Sequence, residues 1–283
     1  MLKPDLHIHT TASDGVLTPS KVVLRAVEHG VNLMAVSDHD SLDGFAEAQK
    51  TARDMPIRVL GAVEFSCGGD AEVHLLGYGL SAECNEIQTL LARMKQEREG
   101  RAGKILKKLD EIGFHLDEEE IPAARNAVKG RAQIARAMLA KGYVNELQEA
   151  FERYIGVGCP AYVPREKLDV TDAIQLILRA GGVPVLAHPG LLKMDLVTFN
   201  AVFESWLKAG LMGVEVYHPG HRPQAFAKWD HFARSRHLLV TGGSDFHEMG
   251  DKHADVGEML SYWPQQDEDA QRFLEALQVS GRV

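Results

Sequence analysis

The sequence predicts an α/β fold, a parallel sheet covered by helices and interrupted by a helical insertion. Two observations carry this expectation. Short apolar segments alternate with helical patterns over the first 80 residues, and the alternation resumes at Val170. Between them, Cys84–Ile155 carries helical periodicity with no strand signal.

In chain order, Asp5–His9 alternates faces as a strand. Thr18 and Pro19 supply an N-cap and a first helical residue and Gly30 a stop, so Ser20–His29 is a helix. Leu33–Ser37 is a second strand, after which Ser41 caps a helix to about Arg53. Arg58–Phe65 and Glu72–Tyr78 are strands joined by the turn-forming Cys67-Gly68-Gly69-Asp70. A long charged helix spans about Asn85 to Ile112, followed by Gly113 and the acidic run Asp117–Glu120. Helices Arg131–Leu139 and Val144–Tyr154 complete the insertion. Then come helix Val170–Ala180, strand Val183–Ala187, helix Asp195–Lys208 and strand Gly213–Tyr217. Helix Pro223–Arg236, strand Leu238–Thr241 and helix Glu268–Val279 close the chain. The expected organisation is a sheet domain in two parts, 1–84 and 166–283, around an insertion at 85–165 that binds substrate or acts as a lid. About seven strands either close as a barrel or stay open as a doubly wound sheet; periodicity leaves both open.

Composition narrows the function. Apolar residues make up 45% and charged residues 25% of the 283, an ordinary globular balance that excludes wholesale disorder. With 31 basic and 40 acidic residues the net charge is −9, which argues against a duplex-DNA surface. No apolar run approaches the roughly 20 residues of a membrane helix, and MLKPDLHIHT lacks a signal-peptide core. Cys67, Cys84 and Cys159 have no paired spacing, so reduced thiols in a cytoplasmic protein are expected, not a disulfide scaffold or zinc ribbon. The unusual count is 13 histidines.

Their placement points to chemistry. His7 and His9 lie two apart on a strand and project from one face. Asp14 follows in Ser13-Asp14-Gly15, and His39 follows the second strand in Ser37-Asp38-His39-Asp40. Glu64 ends the third strand, His74 lies in the fourth, His188 ends the next, and Asp245-Phe246-His247 closes the last. Nine such groups would converge at the carboxyl ends of parallel strands, where barrel enzymes place their sites. Imidazole and carboxylate without thiolate suit Mn²⁺, Fe²⁺ or Zn²⁺, and nine groups imply two or three ions. Asp38, Asp40 and Asp43 read as residues that orient ligands or cap a helix. His29, His115, His231, His237 and His253 read as surface or structural.

In this order the nine residues resemble the PHP (polymerase and histidinol phosphatase) family of metal-dependent phosphoesterases. The matching text is Asp5-Leu6-His7-Ile8-His9, Ser13-Asp14-Gly15, Ser37-Asp38-His39-Asp40, Glu64, His74, Ala187-His188-Pro189 and Gly243-Ser244-Asp245-Phe246-His247. The resemblance implies a distorted (β/α)7 TIM-like barrel with a trinuclear centre, commonly of manganese. It would place one ion on His7, His9, Glu64 and Asp245, a second on Glu64, His74 and His188, and a third on Asp14, His39 and His247. Lys129-Gly130-Arg131 and Pro160-Ala161-Tyr162-Val163-Pro164 are similar to the branch that removes the 3'-phosphate from adenosine 3',5'-bisphosphate, members of which also trim short RNA 5' to 3'. That branch has His where this chain has Gln133, which bears on how a second phosphate is held.

The insertion adds an anion-binding expectation. Ile121–Gly142 contains Arg125, Lys129, Arg131, Arg136 and Lys141 and no acidic residue, and Arg98, Arg101 and Lys104 recur every third position. Arginine suits bidentate phosphate recognition, so these groups would clamp a phosphate beside the ions, with Ser13 and Gln133 as further contacts. His218, after a strand, is the candidate for contacting substrate or moving a proton. The expected reaction is in-line attack on phosphorus by hydroxide from a metal-bridging water. The expected substrate is a small phosphorylated nucleotide or short RNA. Other readings are a histidinol-phosphate-type phosphatase and, in a different class, a nucleic-acid-binding module whose metals only organise the fold.

Overall fold

The expected strands all form and lie side by side in chain order. They are β1 (Pro4–Ile8), β2 (Leu33–Val36), β3 (Arg58–Cys67), β4 (Val73–Tyr78), β5 (Val183–Leu186), β6 (Gly213–Tyr217) and β7 (Leu239–Gly242). The computed structural model describes residues 1–68, 72–81, 83–121, 129–164, 168–250 and 254–279. Beyond β7 the chain returns to β1, where the Asp245 amide donates to the His7 carbonyl at 2.8 Å and the His9 amide to the Phe246 carbonyl at 3.0 Å. These bonds curl the sheet into a nearly closed barrel and exclude the open doubly wound alternative.

The sheet departs from the expected all-parallel arrangement at one strand. β4 runs antiparallel to both β3 and β5, while every other neighbouring pair is parallel. The cause is chain length, because a parallel neighbour needs a crossover of roughly a dozen or more residues and positions 68–72 are too few. The registers Glu64↔Leu76 and Ser66↔His74 follow from that hairpin.

The helices flank the strands largely where the pattern puts them. α1 (Pro19–Glu28) starts on Thr18, whose hydroxyl accepts from the Lys21 amide. α2 (Phe45–Ala52) begins three residues later than expected. Ser41 does not cap it; its hydroxyl accepts from the Asp43 amide at 3.1 Å, within a turn that Asp40 enters with φ +52°. α3 (Asn85–Glu111), α4 (Arg131–Ala140) and α5 (Leu147–Ala150) form the insertion. The expected helix Val144–Tyr154 is shorter, since α5 widens into a π-turn at Phe151–Ile155. α6 (Val170–Arg179) and α7 (Leu196–Ala209) are capped by Asp169 and Asp195, and α8 (Pro223–Arg234) and α9 (Gln266–Val279) follow.

Three cores divide the burial, one of them packing Ile8, Val22, Met34, Ala48 and Phe246 around α1 and α2. The large one lies between the barrel wall and its helices and includes Phe65, Tyr78, Ile174, Phe203 and Phe273. Ile105, Leu109, Ile134, Met138 and Ile155 bury against one another in a separate cluster around α3, α4 and α5. Each fully buried side chain of this kind contributes about 2 kcal/mol, so the insertion has its own reason to hold together. Among the described residues no helix is long and apolar enough to cross a membrane.

Candidate metal centre

Strand geometry explains why distant histidines meet. His7 and His9, two apart at the end of β1, are fully buried and turn to the same side. His39 follows β2, His188 follows β5, and Asp245 and His247 follow β7, so all sit at the carboxyl ends of parallel strands. His74 is near the start of β4, yet it joins them, because the reversed strand begins where its neighbours finish. It is the diagonal cross-strand neighbour of Glu64 on β3, and its Nδ1 lies 2.8 Å from Glu64 Oε1. Asp14 comes from the loop after β1.

Glu64 is the hub. Its Oε2 lies 3.3, 3.2 and 3.0 Å from His7 Nε2, His9 Nε2 and His39 Nδ1, and its Oε1 lies 3.0 Å from His188 Nε2. Asp245 Oδ1 is 3.3 Å from His7 Nε2 and 3.1 Å from His9 Nε2. Asp14 Oδ1 is 3.3 Å from His247 Nε2 and 3.7 Å from His9 Nδ1. The structure therefore brings all nine residues into one cluster. Among the described residues four sets have every ligand atom within 4.8 Å of the others: His7, His9, Glu64 and Asp245; His39, Glu64 and His74; His9, Asp14, His39 and His247; and His7, Glu215 and His218.

The donor set fits divalent cations. Glu64 Oε2, His39 Nδ1 and His188 Nδ1 are buried and make no hydrogen bond among the described residues. His7 Nε2 and His9 Nε2 face each other at 3.1 Å, a gap with room for one proton. Ring nitrogens and carboxylate oxygens turned on shared points, with no thiolate, suit Mn²⁺, Fe²⁺ or Zn²⁺.

Electrostatics agree. Burial penalises the Glu64 charge, but His39, His74 and His7 outweigh it and hold the carboxyl well below its ordinary range. Asp14 and Asp245 are lowered in the same way, chiefly by His247 and His7 respectively. Burial opposes the imidazolium of His74, yet Glu64 and Glu72 push it up to about 10. The same contest at His9, with Asp245 and Glu64, also ends at about 10. Carboxylates that recruit protons onto imidazoles at this density call for positive charge, which a divalent ion supplies on release of those protons.

The backbone is shaped for the cluster. Asp40, His188 and Asp245 adopt left-handed φ values of +52°, +25° and +50°, a conformation costly for non-glycine residues and concentrated at functional sites.

A pocket of about 220 Å³ opens beside the cluster, with Asp14, His39 and His74 on one wall and Arg98, Arg101, Lys129 and Arg131 on the other. Arg131 rests on Glu72 at 3.1 Å, Arg98 on Asp40, and Arg101 donates to the Val163 carbonyl at 2.7 Å. Three expected substrate contacts are placed or engaged otherwise. Lys104 is exposed and does not line the pocket, because six residues along a helix turn it about 120° away from Arg98. Gln133 lines the pocket, but its amide is spent on protein, donating to the Ser13 carbonyl at 2.6 Å and accepting from the Gly130 amide at 2.9 Å. Ser13 is buried and donates to Asp38 at 2.6 Å. Arg125 and His253 lie outside the described residues.

His218 is buried against the cluster, not in the pocket. Its Nδ1 accepts from the Gly220 amide at 2.9 Å, which leaves the proton on Nε2, 3.1 Å from Asp245 Oδ2. Asp38 orients the loop after β1, accepting from the Thr10 amide at 2.8 Å as well as from Ser13.

Sequence reasoning missed Glu215 and His221. Glu215, buried in β6, lies 2.9 Å from His7 Nδ1 and accepts from the His188 amide at 2.8 Å. A carboxylate inside the apolar strand Gly213–Tyr217 was the available signal. His221 is structural: its Nδ1 donates to the Val216 carbonyl at 2.8 Å, its Nε2 accepts from the Gly190 amide at 3.0 Å, and burial pushes its pKa down.

Known proteins agree with this geometry. The PHP domain matches residues 5–157. A "5'-3' exoribonuclease" of Haemophilus influenzae is 32% identical, covering 92% of this chain and 98% of its own. A "3',5'-nucleoside bisphosphate phosphatase" of Chromobacterium violaceum is 33% identical over 91% of both chains. The crystal structure of a protein from Bifidobacterium adolescentis, described as a metal-dependent phosphoesterase, superposes with a TM-score of 0.84 at 26% identity, covering 97% of this chain and 96% of its own. The chain belongs to the PHP domain family of metal-dependent phosphoesterases.

Proposed function

We propose that the protein removes the 3'-phosphate of a nucleoside 3',5'-bisphosphate. The observation that carries this reading is the pocket that joins a wall of metal-type ligands to a wall of arginines and a lysine. A monophosphate needs only the first wall; the second suits a substrate with another phosphate. The name of the Chromobacterium relative supports the same substrate class.

The residues divide the work. His7, His9, Glu64 and Asp245 would hold one divalent ion, Glu64, His74 and His188 a second, and Asp14, His39 and His247 a third, with Mn²⁺ the first choice. Bound there, such ions supply an activated water and neutralise charge on the phosphoryl oxygens. Arg98 and Arg131 exchange Asp40 and Glu72 for the second phosphate and orient the substrate. His218 keeps Asp245 in register through its Nε2 proton. Residues 85–165 serve as the substrate-binding insertion, and cysteines that form no disulfide among the described residues fit a cytoplasmic enzyme.

A second reading, 5'-3' hydrolysis of short RNA, has its own support. A groove of about 850 Å³, lined by Leu191, Leu192, Met194 and Trp206, also reaches His74 and His188. It offers room for a nucleoside esterified to the scissile phosphate. The Haemophilus relative bears that activity in its name.

The test is product release from adenosine 3',5'-bisphosphate, 3'- and 5'-monophosphates, histidinol phosphate and a 5'-phosphorylated RNA. Phosphate released fastest from the bisphosphate is expected. Preferential release of 5'-nucleotides from RNA moves the assignment to the second reading, and binding of RNA without turnover of any substrate overturns both.

A further inference from the structure

The loop that carries Asp14 contains no helix or strand, yet Asp14 must meet His9, His39 and His247. Some of its restraint is local. The Ser13 and Gly15 amides both donate to the Thr10 carbonyl, at 3.1 and 2.9 Å. A side chain at Gly15 would come within 2.6 Å of the His9 carbonyl oxygen, so the turn is tight.

The remaining restraint comes from the insertion, more than a hundred residues away. Gln133, buried in the first turn of α4, donates its Nε2 to the Ser13 carbonyl at 2.6 Å. Three residues on, Arg136 donates Nη1 to the Asp14 carbonyl at 2.7 Å and Nη2 to Glu248 at 3.3 Å. The i, i+3 spacing puts both side chains on one helix face, so α4 grips two consecutive carbonyls of the loop. Glu248 adjoins His247, and the His247 carbonyl accepts from the Val16 amide at 2.8 Å. Arg136 thus ties together the two segments that supply Asp14 and His247. Gln133 is itself fixed, since its Oε1 accepts from the Gly130 amide at the helix start.

We infer that Gln133 and Arg136 are positioning residues through which the insertion sets Asp14, and that one ion of the cluster depends on this grip while the others do not. Among the described residues His7, Glu64 and Asp245 make no hydrogen bond of this kind with α4; strand ends of the barrel carry them. The same helix begins with Arg131, which lines the substrate pocket. The inference rests on the metal-centre reading above and not on the identity of the substrate.

The test is metal content and Mn²⁺ titration of the full chain, as wild type, Gln133→Ala, Arg136→Ala and Arg136→Lys. Outer partners of metal ligands typically change affinity 10–100-fold. Both alanine variants are expected to weaken one Mn²⁺ per chain by that factor and leave the tighter ions unchanged. Their kcat should fall and recover at high Mn²⁺, with KM moved less. Arg136→Lys, which keeps one donor for the Asp14 carbonyl, should recover part of the affinity even if Arg136→Ala folds poorly. Unchanged Mn²⁺ stoichiometry and affinity in Gln133→Ala and in whichever Arg136 variants fold would overturn the inference, as would equal weakening of all ions. A wild type that takes up no Mn²⁺ would instead refute the metal centre. A wild type that binds Mn²⁺ but hydrolyses no nucleotide would refute only the proposed substrate.

Discussion

Glu215 Oε1 lies 2.9 Å from His7 Nδ1 inside the barrel, so the other ring nitrogen, Nε2, is the one presented to Glu64 and Asp245. The second oxygen of the same carboxylate accepts from the His188 amide. One side chain thereby orients two of the nine clustered residues, fixing a tautomer at one and a backbone position at the other.

Replacing Glu215 by Ala removes that orientation without removing a first ligand. Mn²⁺ affinity should fall 10–100-fold, read by equilibrium dialysis, while Glu215→Gln should lose less because its carbonyl still accepts. Unchanged affinity in Glu215→Ala would count against an orienting role.

Chelation should abolish hydrolysis, and Mn²⁺ should restore it. Ion binding should also stabilise the fold, by about 2.7 kcal/mol at a free concentration one hundred times Kd, which appears as a higher Tm. Full activity after exhaustive dialysis against chelator contradicts the metal assignment.

Arg131 faces the pocket, with its guanidinium against Glu72 and over the Phe151 ring. Arg131→Ala should raise KM for a bisphosphate about 10–100-fold, the worth of a charged hydrogen bond of about 1.5–3 kcal/mol, and raise it far less for a 3'-monophosphate. Steady-state kinetics on the two substrates decide; equal effects remove the second-phosphate argument.

Away from the site, Asp269 is buried and accepts two hydrogen bonds from Arg234, at 2.9 and 2.8 Å, and a third from Trp263 Nε1 at 2.9 Å. Asp269→Ala strands both donors and should cost about 3 kcal/mol, measured by urea unfolding. A loss below about 1 kcal/mol would show that water repairs the gap.

Asp169 caps α6, and its bond from Thr171, helped by neighbouring amides, depresses its pKa despite partial burial. A depressed carboxylate contributes stability that is present above its unfolded value and lost as pH falls through the folded one. Asp169→Ala should therefore cost about 1 kcal/mol at pH 7, and that difference should shrink in acid below the ordinary aspartate range. A gap that stays constant from pH 7 to pH 2 rejects the cap as its origin.

Much of this protein could be read along the chain. Alternating apolar segments and Thr18-Pro19 located the elements, because hydrophobic periodicity and capping are local properties of a few neighbouring residues. The residue cluster was legible for the same reason: His7 with His9, and Asp245 with His247, stand at i, i+2 where strands end. Tertiary structure alone decided how these pieces face one another. It turned β4 round, so that His74 meets the others from a strand's start; it set Glu215 against His7 across 208 positions, and it engaged Gln133 and Arg136 on the Asp14 loop instead of on a ligand. Such contacts join segments whose separation leaves no periodic trace, and they exist only once the sheet has curled and the insertion has docked on its rim.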